Sequence, residues 1–172
     1  LSNLACMVLP ITIIGLMVGS FLNVVIYRLP VMMKRSWLQQ CAELRDEPIA
    51  ELPVFNLITP RSACTQCGHK LSALENIPVI SYLFLRGRCS QCQTRISLCY
   101  PLVETVTALM SGFVAWHFGF GWLTVATLFF VWALIALAVI DLNTQLLPDD
   151  ITLPLLWAGL LVNMNNGFTD IH

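Results

Sequence analysis

The sequence predicts an all-α polytopic membrane protein, with about four transmembrane helices and a cytoplasmic four-cysteine loop domain between the first and the second. Three observations support this fold class. Of the 172 residues, 57% are hydrophobic and 11% are charged, which is too apolar for an ordinary soluble domain. All nine Lys and Arg residues lie between positions 28 and 95. Four of the seven cysteines form two Cys-x-x-Cys pairs within that basic stretch.

The first transmembrane helix is predicted at residues 1–27, a segment without a charged residue. About 20 apolar residues are enough to cross about 30 Å of hydrocarbon. A secretory signal peptide is not indicated, because no basic region precedes the apolar run and no Ala-x-Ala site follows it. The chain begins with Leu rather than Met, so we expect further residues upstream in the gene.

Three more helices are predicted in residues 101–172. Between positions 96 and 140 the only charged residue is Glu104, and a glycine-containing segment at 117–121 interrupts this long apolar stretch. Trp116 and Trp122 flank that segment, as expected where helices meet lipid headgroups. An Asp after Pro148 can cap the last helix. The predicted helices lie at about 101–117, 122–140 and 151–163.

The basic residues also predict the orientation in the membrane. Loops rich in Lys and Arg near helix ends stay in the cytoplasm, so the loop domain at 28–100 is predicted to be cytoplasmic. The amino terminus and the turn at 118–121 are then outside, and the connection at 141–150 is inside.

The two cysteine pairs predict a structural zinc site formed by Cys64, Cys67, Cys89 and Cys92. Two Cys-x-x-Cys turns can direct four thiolates at one centre, which matches the tetrahedral sulfur shell of structural zinc. A closed four-thiolate site has no open position for hydrolysis. Disulfides and a redox dithiol are alternatives, but a cytoplasmic loop is in a reducing compartment. His69 is interpreted as a surface residue rather than a ligand.

The remaining cysteines, Cys6, Cys41 and Cys99, have no partner at metal-ligand spacing and are interpreted as small apolar fillers. Asp141 is a stronger functional candidate, because it lies near the end of an apolar helix, where ionisable residues are often functional. The alternative is a carboxylate that reaches into water. Asp149 and Asp150 could approach Asp141, but both also suit a role as helix caps.

The sequence resembles the type IV prepilin peptidase family over nearly its whole length. Four motifs in order carry the resemblance: GSFLNVVIYRLP at 19–30, the cysteine pairs flanking ENIPVISY at 75–82, YPLVE at 100–104, and the segment 141–149 from Asp141 to Leu-Pro-Asp. No single motif decides the assignment, but their order and spacing together are specific.

The resemblance implies a bifunctional enzyme of the bacterial inner membrane. Such an enzyme cleaves the leader of prepilins and pseudopilins at the cytoplasmic face, then methylates the new amino terminus with S-adenosylmethionine. The resemblance assigns the role of the first catalytic aspartate to Asp141. The second belongs to a later Gly-x-Gly-Asp motif, which does not occur before His172, so we expect the chain to be an incomplete form.

The residues that bind S-adenosylmethionine are not identified by these motifs. Asn23 and Glu104 are candidates for testing, whereas Gly19 and Ser20 are interpreted as helix-packing residues. The expected partners are the lipid bilayer, prepilins, pseudopilins and components of pilus or secretion assemblies, but no nucleic acid. Two other classes stay open: a non-enzymatic adaptor whose zinc loop docks a cytoplasmic partner, and, with less support, a transporter.

Overall fold

The computed structural model describes residues 2–46, 53–64, 66–72, 75 and 77–164, with side chains from Val8 onward. The described chain is helical apart from its loops and contains no β-strand, only two isolated bridges. Its five helices are α1 (Ser2–Leu44), α2 (Ile80–Phe84), α3 (Cys99–Phe118), α4 (Trp122–Thr144) and α5 (Asp149–Met164). The all-α prediction is therefore confirmed for the described residues.

Helix α1 is longer than the predicted segment 1–27, because it continues through the first basic residues to Leu44. Residues 28–44, predicted as part of the loop domain, are helical. Hydropathy marks where a chain leaves an apolar environment, but the following Met, Lys, Arg, Gln, Ala and Glu residues are good helix formers. The sequence therefore becomes polar after residue 27 while the helix continues.

Helices α1, α3 and α4 pack around a common core. Leu22 and Ile26 of α1 meet Val103 of α3 and Ile140 of α4, and Ile140 is fully buried. Close approach of α1 and α3 depends on glycine, because a Cβ at Gly19 would lie 2.7 Å from the Cα of Glu104. This confirms the packing interpretation of Gly19.

A polar contact connects α3 to α4. The indole N–H of Trp132 donates to the hydroxyl of Ser111 at 2.9 Å. Both Ser111 and its neighbour Thr107 are fully buried, and each hydroxyl donates to a backbone carbonyl four residues earlier. The buried hydroxyls are therefore satisfied within α3, and Trp132 fixes the register of α4 against it.

Two helices, α1 over Val8–Leu44 and α4, are long and apolar enough to cross a membrane. Helix α5 has no buried residue and contacts mainly α4, so its apolar side chains are exposed. An exposed apolar surface of this kind is expected where lipid replaces water. The four-span count and the orientation stay predictions.

The lone cysteines differ from one another in their surroundings. Cys99 packs against the core, as the filler interpretation predicts. Cys41 is exposed on the last turns of α1, so for this residue the interpretation is wrong. The cause is the extension of α1, which places Cys41 on an exposed turn of the helix beyond the core. The side chain of Cys6 lies outside the described residues.

Candidate functional site

The two Cys-x-x-Cys pairs form two turns of the same backbone design. We call them the first knuckle (residues 62–71, described except for Thr65) and the second knuckle (residues 87–96). In each, the N–H of the first Cys donates to the carbonyl five residues later, and the N–H four residues later donates back to that Cys. These bonds are Cys64 to His69 at 2.8 Å, Gly68 to Cys64 at 2.9 Å, Cys89 to Thr94 at 2.9 Å and Gln93 to Cys89 at 3.1 Å.

The equivalence extends to the outer bonds and to backbone conformation. The N–H of Leu71 donates to Ser62 at 2.9 Å, and that of Ile96 donates to Gly87 at 2.8 Å, at matching positions. Each knuckle also requires a left-handed residue directly after its second Cys. This is Gly68 in the first knuckle, with φ 71°, and Gln93 in the second, with φ 58°.

The knuckles bring the four predicted sulfur atoms together. Sγ of Cys64 lies 3.7 Å from Sγ of Cys92, and Sγ of Cys67 lies 3.9 Å from Sγ of Cys89. All four sulfur atoms lie within 4.8 Å of one another. A tetrahedral zinc–thiolate centre with bonds of about 2.3 Å has sulfur–sulfur edges of about 3.8 Å. The cluster is therefore suited to hold a metal ion.

The protonation of these thiols is strongly uneven. Hydrogen bonds from the hydroxyl and the backbone N–H of Thr94 lower the pKa of Cys92 to about 6. The N–H of His69 lowers the pKa of Cys67, but desolvation and the neighbouring thiols outweigh it and raise that pKa to about 11. Four thiolates this close repel one another, so all four ionise together only when a cation compensates their charge.

Glu75 connects the two knuckles outside the sulfur cluster. Its carboxylate accepts hydrogen bonds from the Ser90 hydroxyl of the second knuckle and from the Ser72 N–H at 2.8 Å. Its Oε2 also lies 3.4 Å from Nε2 of His69 in the first knuckle. These donors, the Ser90 hydroxyl above all, lower the pKa of Glu75 to about 2. Half-buried His69 therefore supports the cluster through Glu75, a role the sequence does not predict.

The relation between the knuckles is also visible in the sequence. Residues 64–71 read Cys-Thr-Gln-Cys-Gly-His-Lys-Leu, and residues 89–96 read Cys-Ser-Gln-Cys-Gln-Thr-Arg-Ile. A hydroxyl residue, a Gln, a basic residue and an aliphatic residue recur at fixed offsets from the cysteines. This eight-residue repeat is the signal that predicts two equivalent knuckles.

A cavity of about 620 Å³ lies between α1, the start of α3 and the two knuckles. Its volume is in the range of small-molecule and cofactor sites. Four aromatic side chains line it: Tyr27, Phe55, Tyr82 and Tyr100. Two acidic residues, Glu75 and Glu104, also line it. The arrangement offers flat apolar surfaces together with a few charged groups, as a ligand site requires.

Asn23 and Glu104 meet at the buried side of this cavity, across 81 residues of sequence. The carboxamide of Asn23 donates to the carbonyl of Tyr100 at 3.1 Å and to Oε1 of Glu104 at 3.4 Å. Oε2 of Glu104 accepts the N–H of Val79 at 2.7 Å. Val79 has a φ of 56°, an unfavourable conformation for a β-branched residue. Glu104 thus holds a strained turn of the loop against the helices.

Arg28 fastens the loop to α1 on another side of the cavity. It is buried, and its guanidinium donates to the carbonyls of Asn56 at 2.9 Å and Pro60 at 2.6 Å. Arg28 and Arg35 both contact Phe55, with guanidinium carbons 5.7 and 4.5 Å from the ring centre. The two arginines therefore fix the segment 53–60 beside the helix.

Asp141 lies in the last turn of α4, directly after the fully buried Ile140, and is half-buried. Its backbone carbonyl accepts both the N–H and the side-chain amide of Gln145, at 2.8 and 3.0 Å. Asp149 and Asp150 are the first two residues of α5 and are exposed. In that first turn they favourably face the positive end of the helix dipole. No hydrogen bond joins either of them to Asp141 among the described residues.

These features define a class of protein: a helical protein with apolar, membrane-length helices and, between them, a four-cysteine cluster that could hold a metal ion. Comparison with known families agrees with this class. Residues 13–118 match the bacterial peptidase A24 N-terminal domain, and residues 128–172 match the type IV leader peptidase family. The chain therefore belongs to the bacterial A24 peptidase family, and the resemblance stated from its motifs is confirmed.

Similar proteins are named prepilin leader peptidase/N-methyltransferase. The chain is 52% identical over 172 residues to that of Stutzerimonas stutzeri, an alignment of 99% of this chain with 60% of that protein. It is 52% identical over 152 residues to that of Pseudomonas aeruginosa, covering 88% and 52%. It is 47% identical over 162 residues to that of Neisseria gonorrhoeae, covering 93% and 57%.

The chain thus spans between 52% and 60% of the length of these three relatives. No solved structure matches it.

Proposed function

We propose that this chain is part of a membrane aspartic peptidase that removes the leader of type IV prepilins and pseudopilins, then methylates the new amino terminus. The observation that carries this proposal is the 52% identity over 99% of the chain to a prepilin leader peptidase/N-methyltransferase. The membership of both matched segments in A24 peptidase families supports it.

Asp141 is proposed as one of the two catalytic aspartates. One carboxylate of such a pair takes a proton from the attacking water, while the other donates a proton to the carbonyl oxygen of the scissile peptide. The position of Asp141 at the end of an apolar helix supports this role. Its partner is expected in the part of the relatives that this chain does not span, in agreement with the Gly-x-Gly-Asp motif that the resemblance implies.

The proposed location is the bacterial inner membrane, with α1, α3, α4 and α5 as spans and with the knuckles and Asp141 on the cytoplasmic side. The restriction of every Lys and Arg to positions 28–95 supports this orientation. A reporter cysteine in place of Ser90 should resist a membrane-impermeant reagent added to intact cells, whereas one in place of Gly119 should react. The reverse pattern would invert the topology.

The metal ion is proposed to be Zn²⁺, bound by Cys64, Cys67, Cys89 and Cys92 in a structural role. The sulfur–sulfur distances support a tetrahedral centre of this size. Purified protein should contain one equivalent of zinc by elemental analysis. Replacing Cys64 with Ser should release the metal and expose the knuckles to protease while helix content persists. Zinc far below one equivalent would remove this assignment.

The 620 Å³ cavity is proposed as the site of S-adenosylmethionine, which would supply the methyl group. Its aromatic walls offer faces on which an adenine ring can stack, and the buried polar residues Asn23 and Glu104 line it as well. Replacing Tyr82 with Ala should therefore weaken the binding of S-adenosylhomocysteine. Binding unchanged by that substitution would place the cofactor elsewhere.

The peptidase proposal is tested with a chain completed by the carboxyl-terminal part of the Stutzerimonas stutzeri relative. The completed protein should cleave a prepilin in detergent, and residues 1–172 alone should not. Asp141→Asn should abolish cleavage while leaving zinc content unchanged. Normal cleavage by the Asp141→Asn variant would exclude the aspartate role and favour a non-enzymatic adaptor that uses the knuckles for docking.

A further inference from the structure

Glu104 is a buried carboxylate without a cationic partner. Its residue is 8% exposed, and the one ion pair between described residues joins His69 and Glu75 instead. The groups that donate to Glu104 are neutral: the carboxamide of Asn23, the backbone N–H of Val79 and the hydroxyl of Ser20. Burying a carboxylate is costly unless opposite charge and hydrogen bonds compensate it. Glu104 therefore has hydrogen-bond donors but no positively charged partner among the described residues.

The open side of Glu104 is the cavity, because the residue forms part of its lining. The other charged groups there are already engaged or exposed. Arg28 donates to two backbone carbonyls, and Glu75 accepts from Ser90 and contacts His69. Arg61 and Arg95 are exposed at the rim. At the buried end of the cavity, Glu104 is therefore the charged group that remains available to a ligand.

We infer that Glu104 is the counter-ion for the primary ammonium group of a ligand bound in this cavity, with Asn23 as the positioning residue that orients the carboxylate. A primary ammonium has three donors and can replace the missing cation without the bulk of a guanidinium. The inference rests on the proposed function only in the choice of ligands. These are the free amino terminus of a peptide and the α-ammonium of S-adenosylmethionine or its product.

Binding to the completed protein in detergent tests the inference with two matched pairs of probes. One pair is a short peptide with a free amino-terminal Phe and its N-acetylated form. The other is S-adenosylhomocysteine and 5′-methylthioadenosine, which lacks the amino-acid end. The parent protein should prefer the amine-bearing member of one or both pairs by about tenfold or more, as expected for a hydrogen-bonded charge. The pair that shows the preference identifies the source of the ammonium.

Glu104→Gln should remove that preference, because the amide still accepts the Val79 N–H but carries no charge. Glu104→Asp, which keeps the charge, should retain part of it. Glu43→Gln is the matched control: it makes the same chemical change on the exposed end of α1 and should leave the preference intact.

Three results would overturn the inference. The parent protein could bind both members of both pairs equally. The preference could survive in Glu104→Gln. The Glu104 variants could also weaken the binding of all four probes to the same extent, which is the signature of a purely structural role.

Transfer of a labelled methyl group to the free peptide tests the proposed function separately. Methyl transfer without an amine preference rejects this inference alone, and an amine preference without methyl transfer rejects the proposed function alone.

Discussion

Replacing Gly19 with Ala should destabilise the pairing of α1 with α3. The added Cβ would lie 2.7 Å from the Cα of Glu104, 3.2 Å from Cβ of Thr107 and 3.3 Å from the carbonyl oxygen of Glu104. Carbon atoms in favourable contact are about 3.5 to 4.0 Å apart, so the two helices must separate by about 1 Å. Two of these three atoms belong to the helix backbone, so a rotamer change cannot relieve the clash.

The expected cost is about 1 to 3 kcal/mol in the free energy of unfolding, the usual range for overpacking. At about 1.4 kcal/mol per factor of ten, this changes the folding equilibrium about 5- to 150-fold. Gly159 provides the control, because it lies in α5 and a Cβ there meets nothing within 4 Å. Gly159→Ala should be neutral or stabilise the helix by up to about 1 kcal/mol.

Unfolding by increasing SDS in mixed micelles, followed by tryptophan fluorescence, measures both variants beside the parent. Gly19→Ala should unfold at a lower SDS fraction and Gly159→Ala at the same or a higher one. Equal midpoints for the two variants would refute the close-contact argument. They would show that α1 and α3 can separate without cost.

Gly68→Ala should weaken metal retention by about 1 kcal/mol, because the left-handed conformation penalises a Cβ, whereas Gln93→Gly should strengthen it similarly. Competition with a zinc chelator measures both, and shifts of the same sign would contradict the equivalence of the knuckles. The low pKa of Glu75 implies stability that is present above about pH 4.5 and lost as the pH falls toward 2. The melting temperature of Glu75→Gln should therefore lie below that of the parent by a constant amount from pH 7 to about pH 5. Equal melting temperatures of the variant and the parent at pH 7 would contradict a stabilising role for the Glu75 carboxylate. Arg28→Lys should loosen the segment 53–60, because one ammonium cannot replace a fork that donates to two carbonyls. Faster proteolysis of that segment is the expected result. Unchanged proteolysis would show that the Arg28 hydrogen bonds do not hold the segment in place.

The helices and the sulfur cluster are predictable because their signals are local. Apolar runs bounded by Gly, Pro or charge place α3 and α4 within a few residues of their observed bounds. The Cys-x-x-Cys spacing identifies all four cysteines that converge. The end of α1 is not predictable in this way, because the criterion that locates a membrane exit is polarity, and polarity does not end a helix at Arg28.

The cavity and its acidic group depend on contacts that sequence does not encode locally. Asn23 and Glu104 are candidates by residue type, but their meeting requires the α1–α3 crossing that Gly19 permits. The role of Glu75 likewise depends on docking one knuckle against the other. The role of Asp141 stays a prediction from motif and position. Asp149 and Asp150 lie exposed in the first turn of α5, and among the described residues no hydrogen bond joins either of them to Asp141.

Helix α1 has 43 residues and a length of about 65 Å, roughly twice the thickness of a bilayer's hydrocarbon. If α1 leaves the membrane near Arg28, as proposed, its last 16 residues form a lever of about 24 Å in water. A tilt of about 20°, common for transmembrane helices, displaces the end of such a lever by about 8 Å. Arg35 on this lever and Arg28 at its base fasten one wall of the cavity, whereas Glu104 fastens another wall to α3. With that membrane placement, and with Pro30 at the base of the lever as a point where the helix can bend, we expect the width of the cavity to depend on bilayer thickness. Lipids of different chain length should then change the affinity of the cavity for a bound ligand.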